Sequence, residues 1–178
     1  MNAGKSTALM QVAHNYSERN MTPIIIKPSL DTKSGSQISS RIGISKETDF
    51  LIQPDDNLKE ILRDVVSDCI LVDEAQFLTS DQVDDLRRLA IEQDVPVICY
   101  GIRTDFVMQW FAGSSRLLEI AHSIEEIKTI CKCGKKALYN LRLVDGEPVF
   151  DGDQIAIDSV DVSYDSVCGK CYLQHRIK

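Results

Sequence analysis

Three short runs in this chain are apolar on successive residues: Pro23-Ile24-Ile25-Ile26 ahead of Lys27, Cys69-Ile70-Leu71-Val72, and Val95-Pro96-Val97-Ile98-Cys99-Tyr100. A strand with one wet face alternates apolar and polar side chains, so strands without alternation are covered on both faces. Helical spacing fills the intervals between them. Leu9, Val12, Ala13 and Tyr16 mark one helix from Lys5 to near Asn20. Leu58, Ile61, Leu62 and Val65 mark a second, and Val83, Leu86, Leu89 and Ala90 a third, capped by Thr79 or Ser80. Ile124–Ile130 is a candidate fourth strand. Strands buried on both faces and alternating with amphipathic helices predict an α/β domain over residues 1–130, built on a parallel sheet.

After Cys133 the pattern changes. Ala137–Val144 alternates, Asp145-Gly146 is a hairpin signal, Gln154–Ile157 is a candidate for the return or a further strand, Asp158–Ser163 reads as a loop, and a short helix starts near Cys171. A segment of this length has too little core to fold unaided, so residues 131–178 are read as a subdomain held by a metal. The net charge is −7. Residues 131–178 hold seven Lys/Arg and seven Asp/Glu, so the whole excess of acid falls on residues 1–130. That balance argues against a sequence-independent nucleic-acid grip, which needs clustered cations. No apolar run approaches the ~20 residues of a membrane span, and the N-terminus has no secretory pattern. The reading is of a soluble, cytoplasmic protein with neither membrane nor nucleic acid as partner.

Two motifs carry chemistry. Met1-Asn2-Ala3-Gly4-Lys5-Ser6-Thr7 is the second half of a phosphate-binding loop, G-x-x-x-x-G-K-[ST]. In such a loop, backbone N–H groups and a helix N-terminus cradle phosphates. Lys5 would meet the outer phosphates and Ser6 would help hold Mg²⁺. The leading Gly would lie five positions before Gly4. The expectation is therefore that the natural polypeptide carries about ten further residues forming the loop's opening and the sheet's first strand. The other motif is Asp73-Glu74, which follows an apolar strand. Carboxylates leaving a parallel sheet at the C-terminal end of a strand face its ligand crevice. Asp73 would then hold Mg²⁺ and Glu74 would take a proton from an attacking hydroxyl.

Four of the six cysteines come as Cys131-Lys132-Cys133-Gly134 and Cys168-Gly169-Lys170-Cys171, about 35 residues apart. Two such pairs suit a tetrahedral Cys₄ structural Zn²⁺ site; the alternative is a pair of disulfides, strained for C-x-C and out of place in a reducing compartment. Cys69 and Cys99 sit inside apolar runs and read as core.

With these motifs stand Val72-Asp73-Glu74-Ala75-Gln76-Phe77, Tyr100-Gly101-Ile102-Arg103-Thr104-Asp105-Phe106, Thr129-Ile130-Cys131-Lys132-Cys133-Gly134 and Tyr164-Asp165-Ser166-Val167-Cys168. In order and spacing the set resembles the type II thymidine kinases across essentially the whole chain. The resemblance implies a RecA-like P-loop core with a zinc-held lasso subdomain, and transfer of the ATP γ-phosphate to the 5′-hydroxyl of thymidine or deoxyuridine. It also implies a homotetramer. Carried over by motif, Glu74 is the general base, and Met1, Asn2, Ala3, Gly4, Lys5, Ser6, Asp73 and Gln76 serve ATP and Mg²⁺. For the substrate, Asp31 resembles the family's Asp-x-Arg segment near the phosphates, Phe77 lines the site, Phe106 and Phe111 lie near the nucleoside, and the lasso, with Ile155, Ile157, Ser159 and Tyr164, closes over the base. Met1 would also approach the thymine methyl. Lys33 stands where the family has Arg, which keeps the charge and loses the fork.

Duller readings stand beside these. Phe106 and Phe111 would serve equally as core aromatics, Arg103 and Asp105 as a loop-stabilising pair, and Tyr164 as packing for the cysteine subdomain. Two other functions fit parts of the pattern: a P-loop ATPase whose ribbon binds nucleic acid, and a truncated, inactive binding protein.

Overall fold

The computed structural model describes residues 3–30, 37–39, 43, 45–155 and 162–177. Met1, Asn2, Asp31, Lys33, Ile157 and Ser159 lie outside the described residues. The chain forms two compact units. One comprises Gly4–Ile102 and Ala112–Ile124, the other Met1–Ala3, Arg103–Phe111 and Glu125–Lys178. This differs from a single cut at residue 130. Residues 103–111 group with the C-terminal segment because their hydrogen-bond partners lie there. Asn140 Nδ2 donates to the Thr104 carbonyl at 3.2 Å and the Tyr172 hydroxyl to the Phe106 carbonyl at 2.6 Å.

The first unit runs α1 (Lys5–Ser17), β1 (Pro23–Pro28), β2 (Gln37–Ser39), β3 (Ser45–Glu47), β4 (Phe50–Ile52), α2 (Leu58–Ile61), β5 (Cys69–Val72), a 3₁₀ turn (Ala75–Phe77), α3 (Ser80–Glu92), β6 (Val97–Cys99) and α4 (Ala112–Ile120). Strands β4-β1-β5-β6 form a parallel sheet in that order, while β2 and β3 pair antiparallel to one another. The unbroken apolar runs have the expected cause. In β1 and β5, Ile24, Ile26, Ile70 and Val72 pack on one face with residues of α2 and α3. Ile25, Cys69 and Leu71 pack on the other with Leu9, Met10 and Ala13 of α1. Thr79 caps α3 through a full capping box with Gln82.

Several expectations are corrected. Strand β6 is half-buried rather than buried, because only β5 pairs with it among the described residues. Ile124–Ile130 forms no strand; Ile124 and Ile130 are largely exposed, and Ile130 makes one isolated bridge to Lys136. Helix α2 ends after a single turn capped by Asn57, short of Val65. Strand β4 and helix α4 lie where no element was expected.

The second unit contains β7 (Tyr139–Val144), β8 (Glu147–Val149), β9 (Val162–Val167) and α5 (Gly169–Arg176), with the antiparallel order β8-β7-β9. Asp145 and Gly146 turn the β7–β8 hairpin, both at positive φ (50° and 83°), the conformation a two-residue hairpin needs. The return strand is therefore Glu147–Val149; of Gln154–Ile157 only Gln154 and Ile155 lie among the described residues, and those two are in no strand, while Val162 and Ser163, read as loop, begin β9. The core of this unit is small: Cys131, Ala137, Leu141, Val167, Cys168 and Tyr172.

Helix α4 reaches unusually close to the 3₁₀ turn. A Cβ on Gly113 would stand 2.6 Å from the Leu78 carbonyl oxygen and 2.7 Å from that of Ala75. Backbone cannot yield as a flexible side chain can. Gly113→Ala is expected to destabilise the protein by about 1–3 kcal/mol, read by urea unfolding; an unchanged midpoint would contradict this contact.

Candidate active site and cysteine cluster

In the first unit the C-terminal end of β5 and the start of α1 carry the expected polar residues together. Gly4 precedes α1 in the left-handed region, φ 79°, and its carbonyl accepts from Ala8 N at 2.9 Å. Glycine is suited to that backbone, since any Cβ there adds strain. Lys5 and Ser6 form the first helical residues. Ser6 Oγ donates to Asp73 Oδ2 at 3.3 Å, and Lys5 Nζ lies 3.9 Å from Glu74 Oε1. The two motifs, 67 residues apart, thus meet at one sheet edge.

Asp73 is 3 % exposed, and its Oδ1 is buried without a hydrogen-bond partner among the described residues. Burial is the main force that raises its pKa to about 6, with the Glu74 charge adding to it and Lys5 and Ser6 opposing. A buried, under-satisfied carboxylate beside a hydroxyl is an oxygen donor set of the kind a hard divalent cation takes, so these residues fit Mg²⁺.

Glu74 also has a left-handed backbone, φ 47°, uncommon for a residue with a side chain. Two neighbours hold it there. Ala75 N donates to the Tyr100 carbonyl at 2.9 Å, and Gln76 Nε2 donates to Glu74 Oε2 at 2.5 Å. Gln76 is buried, and its Oε1 accepts from Ile102 N at 3.2 Å, which fixes the direction in which the amide points. Gln76 therefore touches the carboxylate of Glu74, while Oε1 of that carboxylate faces Lys5. Phe77 is half-buried in the same turn, and Ala3 is half-buried just before Gly4.

The second unit brings together the other predicted residues. Phe106 and Phe111 are buried, Ile155 is half-buried, and Tyr164 lies on β9. Arg103 and Asp105 do not pair. The Asp105 carboxylate accepts Val107 N at 2.9 Å and Gln109 N at 2.8 Å on Oδ1, and Gln154 Nε2 at 2.9 Å on Oδ2. Sequence reasoning missed Gln154 and Arg142. Arg142 is 5 % exposed, with its guanidinium 3.6 Å from the Phe106 ring centre. A lone Arg in an alternating strand carries no signal of such burial.

The four cysteines Cys131, Cys133, Cys168 and Cys171 place their Sγ atoms within 4.8 Å of one another, and Cys133 and Cys168 are 3.6 Å apart. A tetrahedron with Zn–S of about 2.3 Å has an edge of about 3.8 Å, whereas a disulfide would bring two sulfurs to about 2.05 Å. All six cysteines are free thiols, and this geometry fits zinc. Backbone N–H groups of Cys133 and Cys168 hold the Cys131 thiol down to about 6, whereas the neighbouring cysteine sulfurs push that of Cys171 up to about 12.

Two outcomes follow from these geometries. Asp73 binds a proton more tightly folded than unfolded, so its contribution to stability is full below pH ~4 and is lost as pH rises through about 6. Asp73→Asn should therefore raise the melting temperature of the nucleotide-free protein at pH 7.5, by up to roughly 3 kcal/mol of stability, with the gain shrinking towards pH 4. Thermal melts across pH check this, and no gain at pH 7.5 would show the carboxylate to be well solvated. Elemental analysis should find one zinc per chain. Cys131→Ser with Cys168→Ser should remove the metal and lower the melting temperature, because metal binding contributes directly to folding in so small a core.

Known proteins match this sequence across nearly the whole chain. The family model described as thymidine kinase matches residues 1–172. The thymidine kinase of Pasteurella multocida is 48% identical over 173 residues, 94% of this chain and 90% of that protein. That of enterobacteria phage T4 is 45% identical over 177 residues, 96% and 90% of the two chains, and that of Francisella tularensis 38% over 180 residues, 96% and 91%. With a match of this extent and relatives of nearly the same span, the chain belongs to the thymidine kinase family.

Proposed function

We propose that this protein transfers the γ-phosphate of ATP to the 5′-hydroxyl of thymidine, and of deoxyuridine, giving the nucleoside monophosphate. The observation that carries the reading is the meeting of Lys5, Ser6, Asp73 and Glu74 at the end of β5. Phosphoryl transfer asks little covalent chemistry of a protein; it needs charge stabilisation on the transferred group and a carboxylate that orients the nucleophile. Glu74 accepts the proton of the 5′-hydroxyl through Oε1, the oxygen not engaged by Gln76. Lys5 exchanges its contact with Glu74 for the phosphates, which leaves that oxygen free. Asp73 and Ser6 would hold Mg²⁺, which when bound would neutralise charge on the phosphates. Ala3 and Gly4, with Met1 and Asn2, belong to the phosphate loop.

On the nucleoside side the residues are Phe106, Phe111, Phe77, Ile155 and Tyr164, with Asp31, Ile157 and Ser159 carried from the family pattern. In this reading the sheet-bearing unit binds ATP, and the segment after residue 130, which groups with residues 103–111, forms the zinc-held lasso. The reading extends to a homotetramer in the cytoplasm, where free thiols remain reduced and available to zinc.

Glu74→Gln is expected to lower kcat by about 10²–10⁴ while leaving the KM for ATP nearly unchanged, as measured with labelled thymidine. Near-normal turnover by that variant would remove Glu74 from the mechanism.

A further inference from the structure

Arg142 is one of the more deeply buried charged side chains in the structure, and nothing in the assignments above gives it a purpose. Among the described residues no carboxylate lies within ion-pair distance of it. Its donors are instead distributed over two separate pieces of the second unit, strand β9 and the turn at 153–154. Nε donates to the Tyr164 hydroxyl at 3.0 Å, Nη1 to the Asp153 carbonyl at 2.8 Å and Nη2 to the Gln154 carbonyl at 2.9 Å. Its flat face lies on Phe106, 3.6 Å from the ring centre, and 5.6 Å from that of Tyr164. Arg142 and Tyr164 are also directly opposite one another in the β7–β9 register.

Burying a guanidinium costs free energy that neutral partners recover only in part, and a well-packed apolar residue at such a position is often as stable or more so. Stability alone is therefore a poor explanation for Arg142. Its geometry supplies another. The planar fork reads two successive carbonyls and a phenol at once while its face stacks on an aromatic ring, which a lysine ammonium cannot do. The second end of the arrangement is held independently. Gln154 donates from its side chain to Asp105 Oδ2 at 2.9 Å and to the Trp110 carbonyl at 3.2 Å, and the Tyr172 hydroxyl fixes the Phe106 carbonyl. Segment 104–110, the turn at 153–154 and strand β9 thus converge on one side chain.

We infer that Arg142 is a positioning residue for the nucleoside: its guanidinium sets the Phe106 ring, the Tyr164 hydroxyl and the 153–154 backbone in a single arrangement that thymidine meets. This rests on the proposed assignment of Phe106 and Tyr164 to nucleoside binding. Arg142 touches no substrate itself. It acts on affinity for the nucleoside and leaves ATP binding alone, since every group it holds belongs to the second unit.

The test is steady-state kinetics of the full-length, zinc-loaded protein with each substrate varied in turn, for Arg142→Lys, Tyr164→Phe and the double variant. Arg142→Lys keeps the charge and loses the fork. It should raise the KM for thymidine about tenfold or more, the loss expected for hydrogen bonds from a charged donor, and leave the KM for ATP within about twofold. Tyr164→Phe should raise the thymidine KM as well, and the double variant should add little to the larger single effect, because the two residues act through one contact. Arg142→Gln, which removes the buried charge and keeps an amide donor, is read in the same way should the lysine variant fail to fold. A thymidine KM unchanged by either Arg142 variant while Tyr164→Phe raises it overturns the inference and leaves the nucleoside assignment standing. No effect of any variant overturns both. Equal increases for ATP and thymidine, or fully additive effects in the double variant, also overturn it, since Arg142 would then act as general scaffolding or by another route.

Discussion

A strand covered on both faces can carry polar side chains only where it leaves the sheet, and β5 is such a strand. Its four residues are buried between α1 on one side and the α2–α3 layer on the other, paired with β1 and β6 along both edges. The first polar residue after it, Asp73, emerges beside the start of α1, and everything chemical in the first unit is arranged around that exit. The carboxylate is forced into a poorly solvated corner, and its elevated pKa records the cost. Glu74 turns back through a left-handed backbone, and Gln76 and the Tyr100 carbonyl fasten that turn. Gly113 of α4 then presses on the carbonyls of the same segment. The strained residue is thus enclosed on several sides, which is the condition under which backbone strain persists at functional sites.

Much of this was legible in the sequence because the relevant signals are local. Cys69–Val72 reads as a buried strand since both faces demand apolar side chains, and Thr79 with Gln82 announces the start of α3 through hydrogen bonds made within a single turn. Lys5-Ser6 and Asp73-Glu74 are recognisable because phosphate chemistry requires particular side chains at fixed spacing. The elements that escaped notice are those whose reasons lie elsewhere in the chain. Helix α4 opens with Ala-Gly-Ser-Ser, a poor helical start. The glycine is there to approach two carbonyls, and Ser114 Oγ donates to the Ile102 carbonyl at 2.6 Å. The first two residues of strand β9, Val162 and Ser163, look like loop until β7 is placed beside them.

The same distinction divides the candidate site. Four cysteines in two tight pairs can be read directly, and their sulfurs do converge. Arg142 and Gln154 cannot be read, because their worth comes from carbonyls, and carbonyls leave no trace in composition. A main-chain acceptor is present at every residue; only folding decides which of them face an arginine. Phe106 lies between these cases. The motif names it, but its burial under a guanidinium is a tertiary fact.

The segment 103–111 departs from the sheet-bearing unit, joins the cysteine-bearing unit, and returns at α4. The second unit is therefore not a tail joined at one junction. Its hydroxyl from Tyr172, one residue beyond Cys171, holds a carbonyl encoded 66 residues earlier. For anyone recombining such chains, a C-terminal segment exchanged between relatives at a crossover near residue 130 inherits one half of a fitted pair and leaves the other half behind. Loop and tail behave as one heritable module, so a chimera that exchanges the tail should carry residues 103–111 with it.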